Sequence, residues 1–115
     1  MAEGAVANTV NWAGHAFYVL SMEADWNDEP GVYIFAGIQA DALWHAYYVG
    51  ITESFKARLQ DHEHWVAACR LGASHVHALV VPLQAERQQI EQELIATYRP
   101  YLNTRPGWSA PVSTE

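Results

Sequence analysis

Pro30-Gly31-Val32-Tyr33-Ile34-Phe35 and its echo Tyr47-Tyr48-Val49-Gly50 are short β-branched and aromatic runs, each beside a glycine. That is the mark of strands that start or stop abruptly. Pro30 has a fixed φ and no N–H to donate, so it suits the first position of a strand. The residues between, Ala36 to Ala46, include Gly37, Gln39 and Asp41, which favour a turn. The simplest arrangement is an antiparallel hairpin with a fairly long loop, with Tyr33 and Tyr48 on neighbouring strands.

Downstream of Gly50 the period of the pattern changes from two to near four. Thr52 is a good N-cap and Glu53 complements the first turn, so a helix is expected over 53–70. Phe55, Leu59, His62, Val66 and Cys69 recur at helical spacing as its core face, and Arg70 and Gly72 supply a basic last turn and a stop. Arg58 and His62 are four residues apart and project together, whereas Asp61, Glu63 and His64 fall on a solvated polar face. Residues 74–81 alternate through Val76, Ala78 and Val80 as a strand ending at Pro82. His75 and His77 lie on its other side; with His62 and His64 they offer four imidazoles. Without carboxylate or thiol ligands at matching spacing, an exposed, ligand-free face is the preferred reading over zinc.

Residues 84–98 are rich in helix formers, with Ile90, Leu94 and Tyr98 on one stripe and Pro100 as the stop. Glu91 borders that stripe. From spacing alone it is a partly exposed helix charge, with cation binding the sharper alternative. Tyr101-Leu102-Asn103 reads as a short extended segment. Upstream, 17–20 is a short strand with Trp12 packed beneath it, and 21–29 is an acidic loop or one helical turn. Trp12 and Trp26 are core plugs. Residues 1–10 and 106–115 are expected to be loose termini.

The chain has 115 residues, half of them hydrophobic, with five tryptophans and a formal charge of −7. One globular domain over 1–115 fits these numbers. Cys69 is the single cysteine, so an internal disulfide is excluded; with no apolar span and no basic leader at Met1–Asn8, a cytoplasmic protein is expected. The charge disfavours strong non-specific nucleic-acid binding. It is uneven, however: residues 1–50 hold six acids and no Lys or Arg, and the cations run from Lys56 to Arg105.

The order of these blocks resembles the GIY-YIG nuclease domain, particularly that of the bacterial excision-repair incision subunit and small free-standing members. The matching residues are Pro-Gly-Val-Tyr at 30–33 and Tyr-Val-Gly at 48–50. They are followed by Phe-Lys-Ala-Arg-Leu-Gln-Asp-His at 55–62 and Ile-Glu-Gln-Glu-Leu-Ile-Ala-Thr-Tyr-Arg-Pro-Tyr-Leu-Asn at 90–103, so the likeness spans 30–103. It implies an α+β fold, a small antiparallel sheet of three to four strands flanked by helices. It further implies that Tyr33 and Tyr48 are the motif tyrosines, one helping to deprotonate water. Arg58 is implied to contact the scissile phosphate, with Lys56 beside it, and His62 to sit near the tyrosine. Glu91 is implied to bind a single Mg²⁺ or Mn²⁺, and Asn103 to close the site. Gly31 and Gly50 match the motif glycines at the substrate side, where strands approach closely. On that alignment Glu91 becomes a metal ligand.

A tyrosine is a poor base near its ordinary pKa of about 10, so the expectation includes a neighbouring cation that lowers it. Two departures stand out. Ile51 occupies the place of a lysine in the excision-repair relatives, and the 34–47 connection is longer than in compact members. The resulting reading is a DNA endonuclease, weak alone on DNA. The alternative is a GIY-YIG-fold module without useful turnover that binds a protein partner or nucleic acid.

Overall fold

The structure, a computed structural model, describes residues 8–104. Its five strands are β1 (Thr9–Trp12), β2 (His15–Leu20), β3 (Gly31–Ile38), β4 (Trp44–Thr52) and β5 (His75–Val80). They form one antiparallel sheet in the order β1-β2-β5-β3-β4. The helices are α1 (Phe55–Leu59), α2 (Trp65–Leu71), α3 (Gln84–Tyr98) and α4 (Tyr101–Thr104). The expected α+β class holds, with one strand more than anticipated. Thr9–Trp12 pairs with β2 through a turn at Ala13 and Gly14, both at positive φ, the geometry of a tight hairpin. Part of the segment read as a loose N-terminus is therefore an edge strand. The 106–115 expectation lies outside the described residues.

β3 is central, between β5 and β4, and is buried from Gly31 to Gly37. A strand covered on both faces reads as a continuous apolar run. On one face Tyr33, Phe35, Val76 and Ala78 meet Phe55 and Leu59 of α1, Ala68 of α2 and Leu102 of α4. On the other, Val32, Ile34, Val49 and Ile51 meet Trp12, Phe17 and Leu94 of α3. This second layer corrects the exposed-face reading of His77, which is fully buried. Its Nδ1 accepts from Trp12 Nε1 at 2.9 Å, and its ring lies edge-on to Trp44.

Three further boundaries moved for physical reasons. The hairpin loop is only residues 39–43, because β3 and β4 run on to Ile38 and Trp44. A register shift after Phe35 opposes two residues of β4 where one would pair, and Tyr47 and Tyr48 consequently contact the same core cluster. The helix expected over 53–70 is broken in two. Ser54, not Thr52, caps α1 by accepting from Ala57 N–H, and Thr52 ends β4. The break turns His62 inward and leaves Val66 and Cys69 exposed. α3 forms over the expected span.

After α3 the chain reverses at Arg99, at φ 45, and Tyr101–Thr104 is a helical turn rather than an extended segment. The reversal carries Leu102 to the face opposite α3. It also brings Asn103 to the outer edge of β4, where its Oδ1 accepts from Val49 N–H at 2.8 Å and its Nδ2 donates to Val49 C=O at 3.0 Å. A side-chain amide thus satisfies the open edge beside Tyr48, where unpaired backbone would invite foreign strands.

Two glycines are there for clearance. A Cβ at Gly31 would lie 2.1 Å from Leu79 O and 2.5 Å from the Phe55 ring; one at Gly50 would lie 2.4 Å from the Tyr33 ring and hydroxyl. Because the first of these clashes is with β5 backbone, Gly31→Ala forces β3 and β5 apart. We expect a loss of about 1–3 kcal/mol, read as a lower urea midpoint; an unchanged midpoint would refute the close approach.

Candidate active site

β3 and β4 place Tyr33 opposite Gly50 and Phe35 opposite Tyr48. The Tyr33 ring occupies the space above Gly50, and the Tyr33 and Tyr48 ring centroids are 6.3 Å apart. Tyr33 is buried and Tyr48 half-buried. The helix break brings His62 into the same cluster, with its centroid 5.4 Å from Tyr33 and 5.3 Å from Tyr48. Arg58, at the end of α1, acts electrostatically on both tyrosines. Glu91, on α3 and buried, acts on Tyr48. Tyr33, Tyr48, Arg58, His62 and Glu91 are therefore brought together.

The hydrogen-bond network assigns the His62 tautomer. His64 N–H donates to His62 Nδ1 at 3.1 Å, so Nδ1 carries no proton. Burial and the nearby Arg58 charge push the ring down to about 3, so it is neutral in ordinary buffers. Its one proton is then on Nε2, which donates to Tyr33 Oη at 2.7 Å. In this hydrogen bond the Tyr33 oxygen is the acceptor.

Tyr48 behaves differently from expectation. Its phenol is pushed up to about 12, first by burial, with Glu91 and Glu63 adding to the rise; Arg58 opposes this and loses. Tyr48 stays protonated and is a hydrogen-bond donor. The cation expected to activate a tyrosine is present, but desolvation outweighs it at this position.

Arg58 has a partner that the sequence reading missed. Its Nη1 and Nη2 donate to Glu63 Oε1 and Oε2, both at 3.0 Å, a bidentate pair. The Glu63 carboxylate is lowered to about 2 by that contact, and the guanidinium is held above its ordinary range chiefly by the same bonds. On an unbroken helix Glu63 would point elsewhere; the break at His62 returns it to Arg58. Arg87 was also missed. It is buried one turn before Glu91, and its Nη1 donates to the Val81 and Pro82 carbonyls while its Nε has no partner.

The remaining candidates lie at the periphery. Lys56 is exposed and lines an open cleft of about 500 Å³ with Trp26, Asp61, His62 and Trp65. Gly31 and Gly50 are buried inside the sheet and provide room for Phe55 and Tyr33. Asn103 touches the Val49 backbone, one residue from Tyr48. Among the described residues there is no group of three His, Cys, Asp or Glu that could hold a metal. A zinc site takes three or four such ligands, which the described residues do not bring together. A hard cation of the Mg²⁺ type, which keeps waters and takes one or two carboxylates plus substrate phosphate, fits Glu91.

In fold, the chain is similar to the GIY-YIG N-terminal endonuclease domain of UvrC from Thermotoga maritima. The form of that domain bound to magnesium is 27% identical, with 66% of this chain and 84% of that one covered and a TM-score of 0.54. A tyrosine-to-phenylalanine point mutant bound to its catalytic divalent cation is 28% identical over 70% of this chain and 89% of that one, at a TM-score of 0.56. No protein-family model and no curated protein matches the sequence. No helix among the described residues is long and apolar enough to cross a membrane.

His62 and His77, the latter lowered by burial to about 4, fold as neutral rings against an unfolded value near 6.5. Each folded-state pKa is depressed, so below 6.5 the unfolded chain takes up protons that the folded chain refuses. Each group then costs up to about 1.4 kcal/mol per pH unit. We expect urea midpoints to be level above pH 6.5 and to fall steadily between pH 6.5 and 4. A midpoint unchanged from pH 7.5 to 5 would contradict the two buried neutral imidazoles.

Proposed function

We propose that this chain, which has the fold of the GIY-YIG endonuclease domain, is a divalent-metal-dependent endonuclease acting on DNA phosphodiester bonds. The observation that carries the reading is the convergence of Tyr33, Tyr48, Arg58 and Glu91 from four separate elements, with His62 from the turn between α1 and α2. Packing alone has no need to gather a guanidinium, two phenols and a carboxylate at one place.

Each residue has a role its surroundings support. Tyr33, whose oxygen accepts from His62 Nε2–H, takes the proton from the attacking water in its phenolate form, its own phenol proton having first passed to the solution. Tyr48, kept protonated, donates to a phosphoryl oxygen. Arg58 offers a planar fork for the charge that develops on that group. Glu91 holds the cation, Mg²⁺ or Mn²⁺, which when bound polarises the phosphate and stabilises the leaving oxygen. Lys56, at the cleft beside His62, extends the positive rim toward the neighbouring backbone. Asn103 keeps β4, and with it Tyr48, in place.

The competing reading is a module that binds a protein partner or nucleic acid without useful turnover. It draws on the charge of −7 and on the engagement of Arg58 by Glu63. Cleavage of supercoiled plasmid and of flapped DNA at low salt, with Mg²⁺, Mn²⁺ or EDTA, separates the two. We expect metal-dependent nicking by the wild type. Arg58→Ala and the near-isosteric Glu91→Gln should each lose at least about 100-fold in rate while keeping their thermal midpoints within a few degrees. Binding without cleavage by the wild type would favour the module.

A further inference from the structure

The Arg58–Glu63 pair bears on how substrate gains access to the site. We infer that Glu63 is a built-in competitor for the phosphate position on Arg58, so that substrate binding is an exchange of one anion for another. This rests on the nuclease reading of Arg58 and deepens it. Four observations support it.

The first is shape. Both Glu63 oxygens meet the two terminal nitrogens of the Arg58 guanidinium at 3.0 Å, the same two-pronged contact that a phosphate makes. The second is position. Glu63 lies between His62 and His64, whose ring-to-backbone hydrogen bond at 3.1 Å closes the turn that carries it. Its carboxylate is thereby aimed at Arg58, the cation that acts electrostatically on Tyr33 and Tyr48. The third is charge: with a pKa near 2 the carboxylate is ionised at every working pH. The fourth is exposure. The Glu63 side chain is 61% exposed and that of Arg58 30%, so Glu63 re-enters water at little cost when displaced.

The consequence is selectivity. A small anion gains little by replacing a carboxylate already in place. A DNA phosphate that also meets the Tyr48 hydroxyl and the cation on Glu91 gains enough to displace it. Together with the net charge of −7, this keeps the site closed to loosely bound polyanions.

Glu63→Gln keeps the size and removes the charge, and thermal melting checks that the fold is kept. Two arms are measured: KM and kcat on flapped DNA with Mn²⁺, and titration with inorganic phosphate followed at the backbone amide resonances of residues 58–64, which every variant retains. We expect Glu63→Gln to lower KM by about 2- to 5-fold while kcat does not rise. The phosphate midpoint should fall by a similar factor, and the Arg58→Ala variant should show no phosphate site. A raised KM with lowered kcat would mean that Glu63 only positions Arg58, and would overturn the proposal, as would an unchanged KM. If no form cuts DNA, the nuclease reading fails and the phosphate arm alone decides: tighter phosphate in Glu63→Gln supports the competition, and equal or absent binding ends it.

Discussion

The hydrogen bond between Tyr33 and His62 governs the middle of this molecule. Tyr33 is a large side chain at 1% exposure whose hydroxyl must find a partner inside the protein, since a buried unpaired polar group costs on the order of 1–3 kcal/mol. His62 supplies it. For the imidazole to arrive, the helix after β4 has to stop, turn inward and start again, which is why α1 and α2 are short and separate. The same turn exposes Val66 and carries Glu63 back to Arg58. Gly50 is the other half of the constraint, because only a residue without Cβ leaves room for the Tyr33 ring.

From that one contact the electrostatics divide the two tyrosines. They are neighbours on adjacent strands, yet Tyr33 accepts from His62 Nε2–H while Tyr48 is kept protonated chiefly by the water it loses.

The edge of the sheet is treated with similar economy. β4 carries Tyr48 and Gly50 and, among the described residues, has no strand beyond it. The left-handed turn at Arg99 sends the chain around that edge, so that a single asparagine, Asn103, occupies the Val49 backbone groups. The strand holding the second tyrosine is thus clamped between β3 and a side chain remote in sequence.

How much of this was legible beforehand follows from the range of the forces involved. The β3–β4 pairing, the α3 span and the proximity of the candidate residues were readable because they rest on local pattern: glycine beside aromatic runs, apolar residues at i and i+4, a proline stop, and a block order that resembles a known family. β1 was missed because its turn, Ala13–Gly14, lacks the usual Asn-Gly signal and only pairing with β2 and Tyr98 completes it. The burial of His77 was missed because alternation tells which side a residue faces and not whether that side is covered. The helix break, the Arg58–Glu63 pair and the raised Tyr48 were decided by tertiary structure alone. Each results from the free energy of burying a polar group, which depends on partners distant in the chain and on how much water they exclude.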